Sequence, residues 1–267
     1  MRERQISPAG RRIERALPVI VLFITLAAWE GFVRLERVPP YILPAPSLIA
    51  KTLIADWPTL SGSLVVTLTI TFEALFAAAA GGLVLAIFFA QWKWVERSFF
   101  PFAVILQVTP IVAIAPLLLI YLQPHAAVLV CAFLVAFFPV LSNTALGLAS
   151  ADHNLVDLFD LYRASRWQQL LLLRLPAALP YFLGGLRIGG GLSLIGAIVA
   201  EIAAGSAGQG SGLAFRIVES AYRLNIPRMF AALFLISVTG ICIFLFFTAL
   251  SHILLSRWHD SARKREG

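Results

Sequence analysis

The chain has 267 residues, of which 60% are hydrophobic and only 13% are charged, and its formal net charge is +7. Soluble globular proteins contain about 25% charged residues, so this composition excludes an ordinary soluble domain and indicates that a lipid bilayer is the solvent. The basic residues flank apolar stretches instead of forming a patch on a polar domain, which argues against nucleic-acid binding.

Long charge-free stretches predict an all-α polytopic membrane protein with about six transmembrane helices. No Asp, Glu, Lys or Arg occurs between Ser98 and Ala151. A spanning helix needs about 20 apolar residues, so this stretch holds two spans, with a turn near Pro124. Open sheets are excluded because unpaired backbone groups are costly in lipid. The predicted spans are 17–36, 62–91, 99–122, 125–149, 180–204 and 229–255.

The distribution of basic residues predicts the orientation. If the tail 1–16 is cytoplasmic, the cytoplasmic segments together hold 14 Lys and Arg residues and the two long outer loops hold 5. Cytoplasmic loops carry the excess of Lys and Arg, so both termini are expected in the cytoplasm. We expect one transmembrane domain over 17–255, with 62–255 as its core, followed by a cytoplasmic tail at 256–267.

The third predicted span contains several prolines. Pro110 and Pro116 are each expected to remove a helical hydrogen bond and to kink the helix. Broken backbone at membrane depth is tolerated where it is packed in protein or lines a cavity. Two interpretations stay open: kinks that serve packing, or a helix that lines a translocation path.

The segment 150–179 predicts a short amphipathic helix outside the bilayer, within 152–168. Four apolar side chains recur on one face: Leu155, Leu158, Phe159 and Tyr162. Pro176 and Pro180 are expected to close the segment and start the next span. An amphipathic helix of this kind either lies on the membrane surface or inserts into a groove on a partner, and the residues alone leave both open.

This segment resembles the loop of bacterial ABC-importer permeases that has the pattern E-A-A-x3-G-x9-I-x-L-P. Seven residues stand at the patterned positions, in order: Asp157, Leu158, Phe159, Arg163, Leu173, Leu175 and Pro176. Leu175 and Pro176 match the pattern as they are, whereas Arg163 stands at its glycine.

Further stretches are similar to the nitrate/sulfonate/taurine-type branch of that family. They are Leu43–Ser47, Thr109–Leu117, Ala164–Gln168, Leu175–Pro180, Gly184–Arg187 and Val199–Glu201. The resemblance runs in order through nearly the whole chain and implies the type I ABC importer transmembrane-domain fold. It also implies a permease subunit that forms the path for a small solute, of the nitrate/sulfonate/taurine or vitamin-precursor class.

The resemblance implies partners and a coupling site. The expected partners are a separate ABC ATPase, a periplasmic or lipoprotein solute-binding protein, a second permease copy and the bacterial inner membrane. No cofactor is expected on this chain, since ATP and Mg²⁺ belong on the ATPase and the sequence has no G-x4-G-K-[ST] motif. The implied ATPase-coupling residues are Asp157, Leu158, Phe159, Tyr162, Arg163, Ala164, Ser165, Trp167, Leu173, Leu175 and Pro176.

Three ionisable residues lie at or near membrane depth, where each costs about 2.5–3.5 kcal/mol on insertion scales. Arg187 either extends to the cytoplasmic surface or faces the path. Glu201 either faces the path or lies at the outer interface, and Glu73 is expected to pair with another helix. Glycines in 184–191 permit close helix approach, either within the chain or between two permease copies.

Two other functional classes fit the sequence less well. An ion-coupled secondary carrier or channel without an ATPase would favour inverted repeats and paired buried acids, and neither is evident. An enzyme would need a cluster of catalytic side chains at one depth. The four histidines are scattered along the chain, so no catalytic or metal-ligating site is predicted.

Overall fold

The structure is a computed structural model that describes residues 8–205 and 211–256, with side chains described from Leu17 onward. All regular elements in these two ranges are helical. The outermost parts of both predicted tails, and most of the glycine-rich run after α9, lie outside the described residues. The helices are α1 (Pro8–Leu35), α2 (Pro46–Ala55), α3 (Trp57–Gln91), α4 (Lys93–Val108), α5 (Ile111–Tyr121), α6 (Pro124–Ala149), α7 (His153–Leu161), α8 (Arg166–Gln169), α9 (Leu175–Ala204), α10 (Leu213–Tyr222) and α11 (Ile226–Leu255).

The described helices confirm about six membrane spans. Five are long and apolar enough to cross a bilayer: α1, α3, α6, α11 and the continuous helix that ends with α9. A sixth is formed if the bent pair α4 and α5 counts as one span. The count agrees with the prediction because it depends mainly on composition, which is the strongest signal in a membrane sequence.

The chain divides into two compact units. The first comprises Met1–Leu60 and Arg216–Leu233, and the second comprises Ser61–Phe215 and Phe234–Gly267.

Within the first unit, ion pairs and hydrogen bonds hold the polar connections. The Ser47 hydroxyl donates to Glu30 Oε1 at 2.7 Å, and the Ser47 backbone N–H donates to Glu30 Oε2 at 2.9 Å. The Arg228 guanidinium donates to Asp56 Oδ2 at 2.6 Å. The Trp29 and Phe230 rings pack with their centroids 5.9 Å apart.

The second unit is built around α6 and α9, which run antiparallel. At four glycines the two helices lie so close together that even a Cβ atom would be crowded. A Cβ on Gly147 would lie 2.7 Å from Tyr181 Cβ, and one on Gly196 would lie 2.9 Å from Ala132 Cα. A Cβ on Gly185 would lie 3.1 Å from Asn143 Cβ, and one on Gly189 would lie 3.0 Å from Val140 Cγ2, both on α6. We call this contact the α6–α9 seam. Small residues let helix backbones approach closely in lipid, where packing replaces the hydrophobic effect as the driving force.

The third predicted span is two helices and not one kinked helix. α4 ends at Val108, α5 begins at Ile111, and the two axes are bent by 98°. Thr109 is extended (φ −70°, ψ 124°), as the residue before a proline prefers. Pro110 is also extended (φ −70°, ψ 117°) and precedes the first residue of α5. The break therefore lies at Pro110.

Pro116, the other proline expected to kink the helix, does not break it. It lies inside α5, which continues to Tyr121. A proline within a helix removes one hydrogen bond, and the helix continues where the surrounding turns are retained.

Pro176 and Pro180 do not close the segment before α9, which corrects the prediction that a new span starts there. The chain is helical without a break from Arg166 to Ala204. A π-helical turn, Leu170–Arg174, joins α8 to α9, and the Leu175 N–H bonds to the Leu170 carbonyl across it. The wider π turn accommodates Pro176, whose ring would otherwise crowd the carbonyl four residues earlier.

Candidate coupling helix and membrane path

α7 is a short helix that connects α6 to α8. Asp152 caps its start by accepting the Asn154 backbone N–H at 2.8 Å. Its three leucines remain exposed: Leu155 is 44% exposed, Leu158 43% and Leu161 80%. The predicted amphipathic helix is therefore present, but it ends at Leu161 and is shorter than 152–168.

Arg163, which stands where the family pattern has glycine, lies at the C-terminal end of α7. Arg163 has φ +52°, in the left-handed region that glycine adopts without strain. Its N–H donates to the Asp160 carbonyl at 2.9 Å, and the Ala164 N–H donates to the Phe159 carbonyl at 2.9 Å. These two bonds form a Schellman C-cap, in which glycine is the preferred residue. At the position where the family pattern has glycine, Arg163 therefore adopts a backbone conformation that glycine favours.

The next predicted coupling residues belong to α8 and not to α7. Ser165 and Gln168 form a capping box, with the Gln168 N–H donating to Ser165 Oγ at 3.3 Å and the Ser165 N–H donating to Gln168 Oε1 at 2.7 Å. Trp167 is exposed on this turn. The Gln169 amide donates to Asp160 Oδ1 at 2.6 Å, which ties α7 to the start of the long helix.

The eleven predicted coupling residues therefore separate into two groups. The first group lies on α7 or its C-cap, and most of it is exposed: Asp157, Leu158, Phe159, Tyr162 and Arg163. The second group directly precedes the next helix or lies within it: Ala164, Ser165, Trp167, Leu173, Leu175 and Pro176. Leu173 is buried in the π-helical turn, so its role in the structure is packing.

Arg187 lies at the level of the middle of α6. Its neighbours Gly185 and Gly189 pack against Val140, which is the seventeenth residue of the 26-residue helix α6. The guanidinium carbon is 5.3 Å from the centroid of the Phe244 ring, a cation–π contact. Among the side chains that the structure describes, no carboxylate forms an ion pair with Arg187, and the residue is exposed.

Glu201 is buried, with 5% of its surface exposed. The Thr67 hydroxyl donates to Glu201 Oε1 at 2.8 Å, and the Ala214 backbone N–H donates to Oε2 at 3.0 Å. The Leu213 N–H donates to Thr67 Oγ1 at 2.9 Å. We call this group of hydrogen bonds the Thr67–Glu201 latch. It joins α3 and α9 to the first turn of α10.

A cavity of about 50 Å³ lies beside Glu201 and is lined in part by His125, Val128 and Phe215. Its volume is enough for one or a few water molecules. At the same end of the bundle, Glu73 Oε2 is 3.3 Å from His125 Nε2, so Glu73 does meet a partner on another helix.

The sequence did not point to Thr67 or Gly212 as parts of a polar site. Thr67 is one hydroxyl among several in α3, and Gly212 belongs to a glycine-rich turn. A Cβ on Gly212 would overlap the Glu201 carboxyl group. The sequence offered one signal, the acid at the end of an apolar span. Such an acid indicates a polar site but does not identify its hydrogen-bond partners.

The chain matches a known family model over residues 82–257. That model is described as binding-protein-dependent transport system inner membrane component.

Several curated relatives align along most of their length. The chain is 32% identical to the riboflavin transport system permease protein RibX of Chloroflexus aurantiacus, over 96% of this chain and 97% of that protein. It is 30% identical to the formylaminopyrimidine transport permease protein ThiX of Halalkalibacterium halodurans, over 89% and 94%. It is 27% identical to the taurine transport system permease protein TauC of Escherichia coli, over 96% and 94%.

A solved structure shows the same fold. It is titled as the crystal structure of an amino acid ABC transporter with histidines, and it aligns with a TM-score of 0.60 and 16% identity. The alignment covers 76% of this chain and 95% of that chain.

Proposed function

The chain belongs to the family of binding-protein-dependent transport system inner membrane components, as an ABC-importer permease of the sulfonate/taurine/nitrate branch, and we propose that it couples to a separate ATPase through α7. It is a multi-pass membrane protein with the helical fold of type I importers. The proposal adds the site of coupling, the course of the path and the partners.

The exposed apolar face of α7 carries the proposal. Leu155 and Leu158 lie three residues apart on a nine-residue helix, so both side chains point to the same side. Both are exposed although the helix is capped at both ends, so the helix is formed before any partner covers it. An amphipathic helix with anchors at this spacing fits a groove on a partner protein.

Arg187 supports a path along α9. A guanidinium at the middle of a span is costly in hydrocarbon, so its exposed surface is expected to face a water-filled path or a second permease copy instead of lipid. Gly184 and Gly191, which flank it, have open space around their Cα atoms. Pro110 belongs to the same proposal, because a broken helix at membrane depth is tolerated beside a cavity.

The remaining assignments follow from the family and the charge distribution. We assign both termini to the cytoplasm of the bacterial cell, with α7 on that side, because the basic residues favour it. The partners are the ATPase, a solute-binding protein and a second copy of the chain. We propose a small molecule as the solute, of the kind that the curated relatives' names give, such as taurine or formylaminopyrimidine.

The chain is proposed to act without catalysis of its own. ATP and Mg²⁺ are assigned to the partner ATPase. The alternative is a carrier or channel that needs no ATPase, and it would leave the apolar face of α7 on the membrane surface.

Purification of the tagged chain from its native membrane tests the coupling. We expect an ATPase with a Walker-A motif to co-purify with the wild type and to be lost from the double variant Leu155→Asp and Leu158→Asp. His153→Asp adds a carboxylate at an exposed position of the same helix on the side away from Leu155 and Leu158, and it should retain the ATPase. Wild-type chain that is folded but carries no ATPase would instead favour the carrier or channel.

Leu155 and Leu158 suit this experiment better than Phe159, which belongs to the same predicted apolar face. Phe159 is partly buried, so a charge there would also disturb the fold. The two leucines are exposed, and their replacement should leave the amount of folded chain unchanged.

A further inference from the structure

The first turn of α10 is capped by side chains from two other helices. The first backbone N–H groups of a helix have no partner within it, and a side chain of the preceding residue usually accepts them. Here the preceding residue is Gly212, which has no side chain. Thr67 of α3 accepts the Leu213 N–H, and Glu201 of α9 accepts the Ala214 N–H.

A carboxylate, a hydroxyl group and a glycine together make this capping arrangement possible. A carboxylate is favoured at a helix N-terminus by the helix dipole, and Glu201 is the residue that supplies it. The Thr67 hydroxyl donates to Glu201 and accepts from Leu213, so one group joins the other two. Gly212 has no Cβ, and this absence leaves room for the carboxyl group.

The turn held in this way forms one wall of the cavity near the start of α6. Phe215 lines that cavity from the turn, and His125 lines it from α6. The latch therefore fixes the turn that carries the Phe215 ring at the wall of this cavity.

We propose that Thr67 and Glu201 are positioning residues for transport, which keep the first turn of α10 attached to α3 and α9 throughout the transport cycle. This inference rests on the proposed function, since it assumes an ATP-driven cycle. The turn then moves with α3 and α9 as one body, and the cavity beside Phe215 changes only when the helices around it move.

A disulfide in place of the latch tests whether it opens. A Cβ on Gly212 would lie against the Glu201 carboxyl carbon, so cysteines at both positions come within bonding range. The pair Glu201→Cys and Gly212→Cys is placed in a chain whose two native cysteines, Cys131 and Cys242, are changed to alanine. The probe is ATP with Mg²⁺, and the readout is ATP turnover by the reconstituted complex with its native ATPase.

The oxidised protein is expected to turn over ATP within about twofold of the cysteine-free parent, because the latch stays closed in every state. Reduction should lower turnover about tenfold, because the buried Ala214 N–H then lacks its carboxylate acceptor and the turn loses its hydrogen bond to α9. Turnover that is blocked in the oxidised protein would overturn the proposal, and so would equal turnover before and after reduction.

Thr67 provides a second test that needs no cysteine. Thr67→Val has nearly the same shape without the hydroxyl, and Thr67→Ser keeps the hydroxyl. Hydrogen exchange at Leu213 and Ala214 is compared in the nucleotide-free complex and in the complex trapped with ATP, Mg²⁺ and vanadate. We expect equal protection in both states, at least about tenfold faster exchange in Thr67→Val, and protection restored in Thr67→Ser.

Loss of protection in one state of the wild type would show that the latch opens, and unchanged exchange in Thr67→Val would show that it does not hold the turn. Either result overturns the proposal. The ATPase that remains bound in the same preparations reports separately on the proposed function, since failure of that function removes the ATPase from the wild type as well.

Discussion

The α6–α9 seam and α7 use their side chains in opposite ways. In the seam, glycines have no side chain, so the backbones of α6 and α9 come into close contact within one chain. On α7, leucines project from a fully capped helix and no described residue covers their apolar face. The difference indicates that the seam is a structural contact within the chain, whereas the apolar face of α7 is open to the partner that we propose for it.

The largest predicted effect concerns the seam. Gly196→Ala places a methyl group 2.9 Å from Ala132 Cα, which is backbone and cannot rotate away. We expect a loss of about 1–3 kcal/mol of stability, which is the usual cost of overpacking. The measurement is the temperature at which the detergent-solubilised chain aggregates.

Gly191→Ala is the control for that change. It lies on the same helix, and its Cβ would have no neighbour within 4 Å in the chain. We expect stability of the isolated chain to stay the same or to rise by up to about 1 kcal/mol, since alanine favours the helix. A large loss in Gly191→Ala and none in Gly196→Ala would contradict the description of the seam.

A smaller effect is predicted at the end of α7. Arg163→Gly removes the strain of a left-handed residue and should stabilise the cap by about 1 kcal/mol, whereas Arg163→Val should weaken it by a similar amount or more. Limited proteolysis at Tyr162–Ala164 measures the cap directly. Faster cleavage of the glycine variant than of the valine variant would show that the Schellman turn does not control α7.

The spans were predictable because each is a long apolar run, and the α6–α9 seam was partly predictable from its glycines. At Pro110 the sequence predicts a kink, whereas the structure has a break with a bend of 98° between the helix axes. The sequence alone does not give the size of such a bend. The continuous helix through Pro176 was missed because a π-helical turn has no sequence signal of its own.

The polar sites show a different limit of sequence reasoning. Arg163 differs from the glycine of the family pattern, but its positive φ lies in the left-handed region that glycine favours. The sequence does not show this backbone angle. The Thr67–Glu201 latch could not be predicted because its two side chains are 134 residues apart in the chain. Glu201 alone was identifiable, from the cost of an acid in an apolar span.

The most direct test of the coupling role is site-specific photo-crosslinking in the native membrane. A photoreactive residue at Leu158 should form an adduct between this chain and an ATPase, because we place that side chain in the partner's groove. The same residue at Ile195, an exposed apolar position within α9, should label lipid or a second copy and not the ATPase. Adducts from Leu158 with lipid alone would contradict the assignment of α7 as the coupling helix.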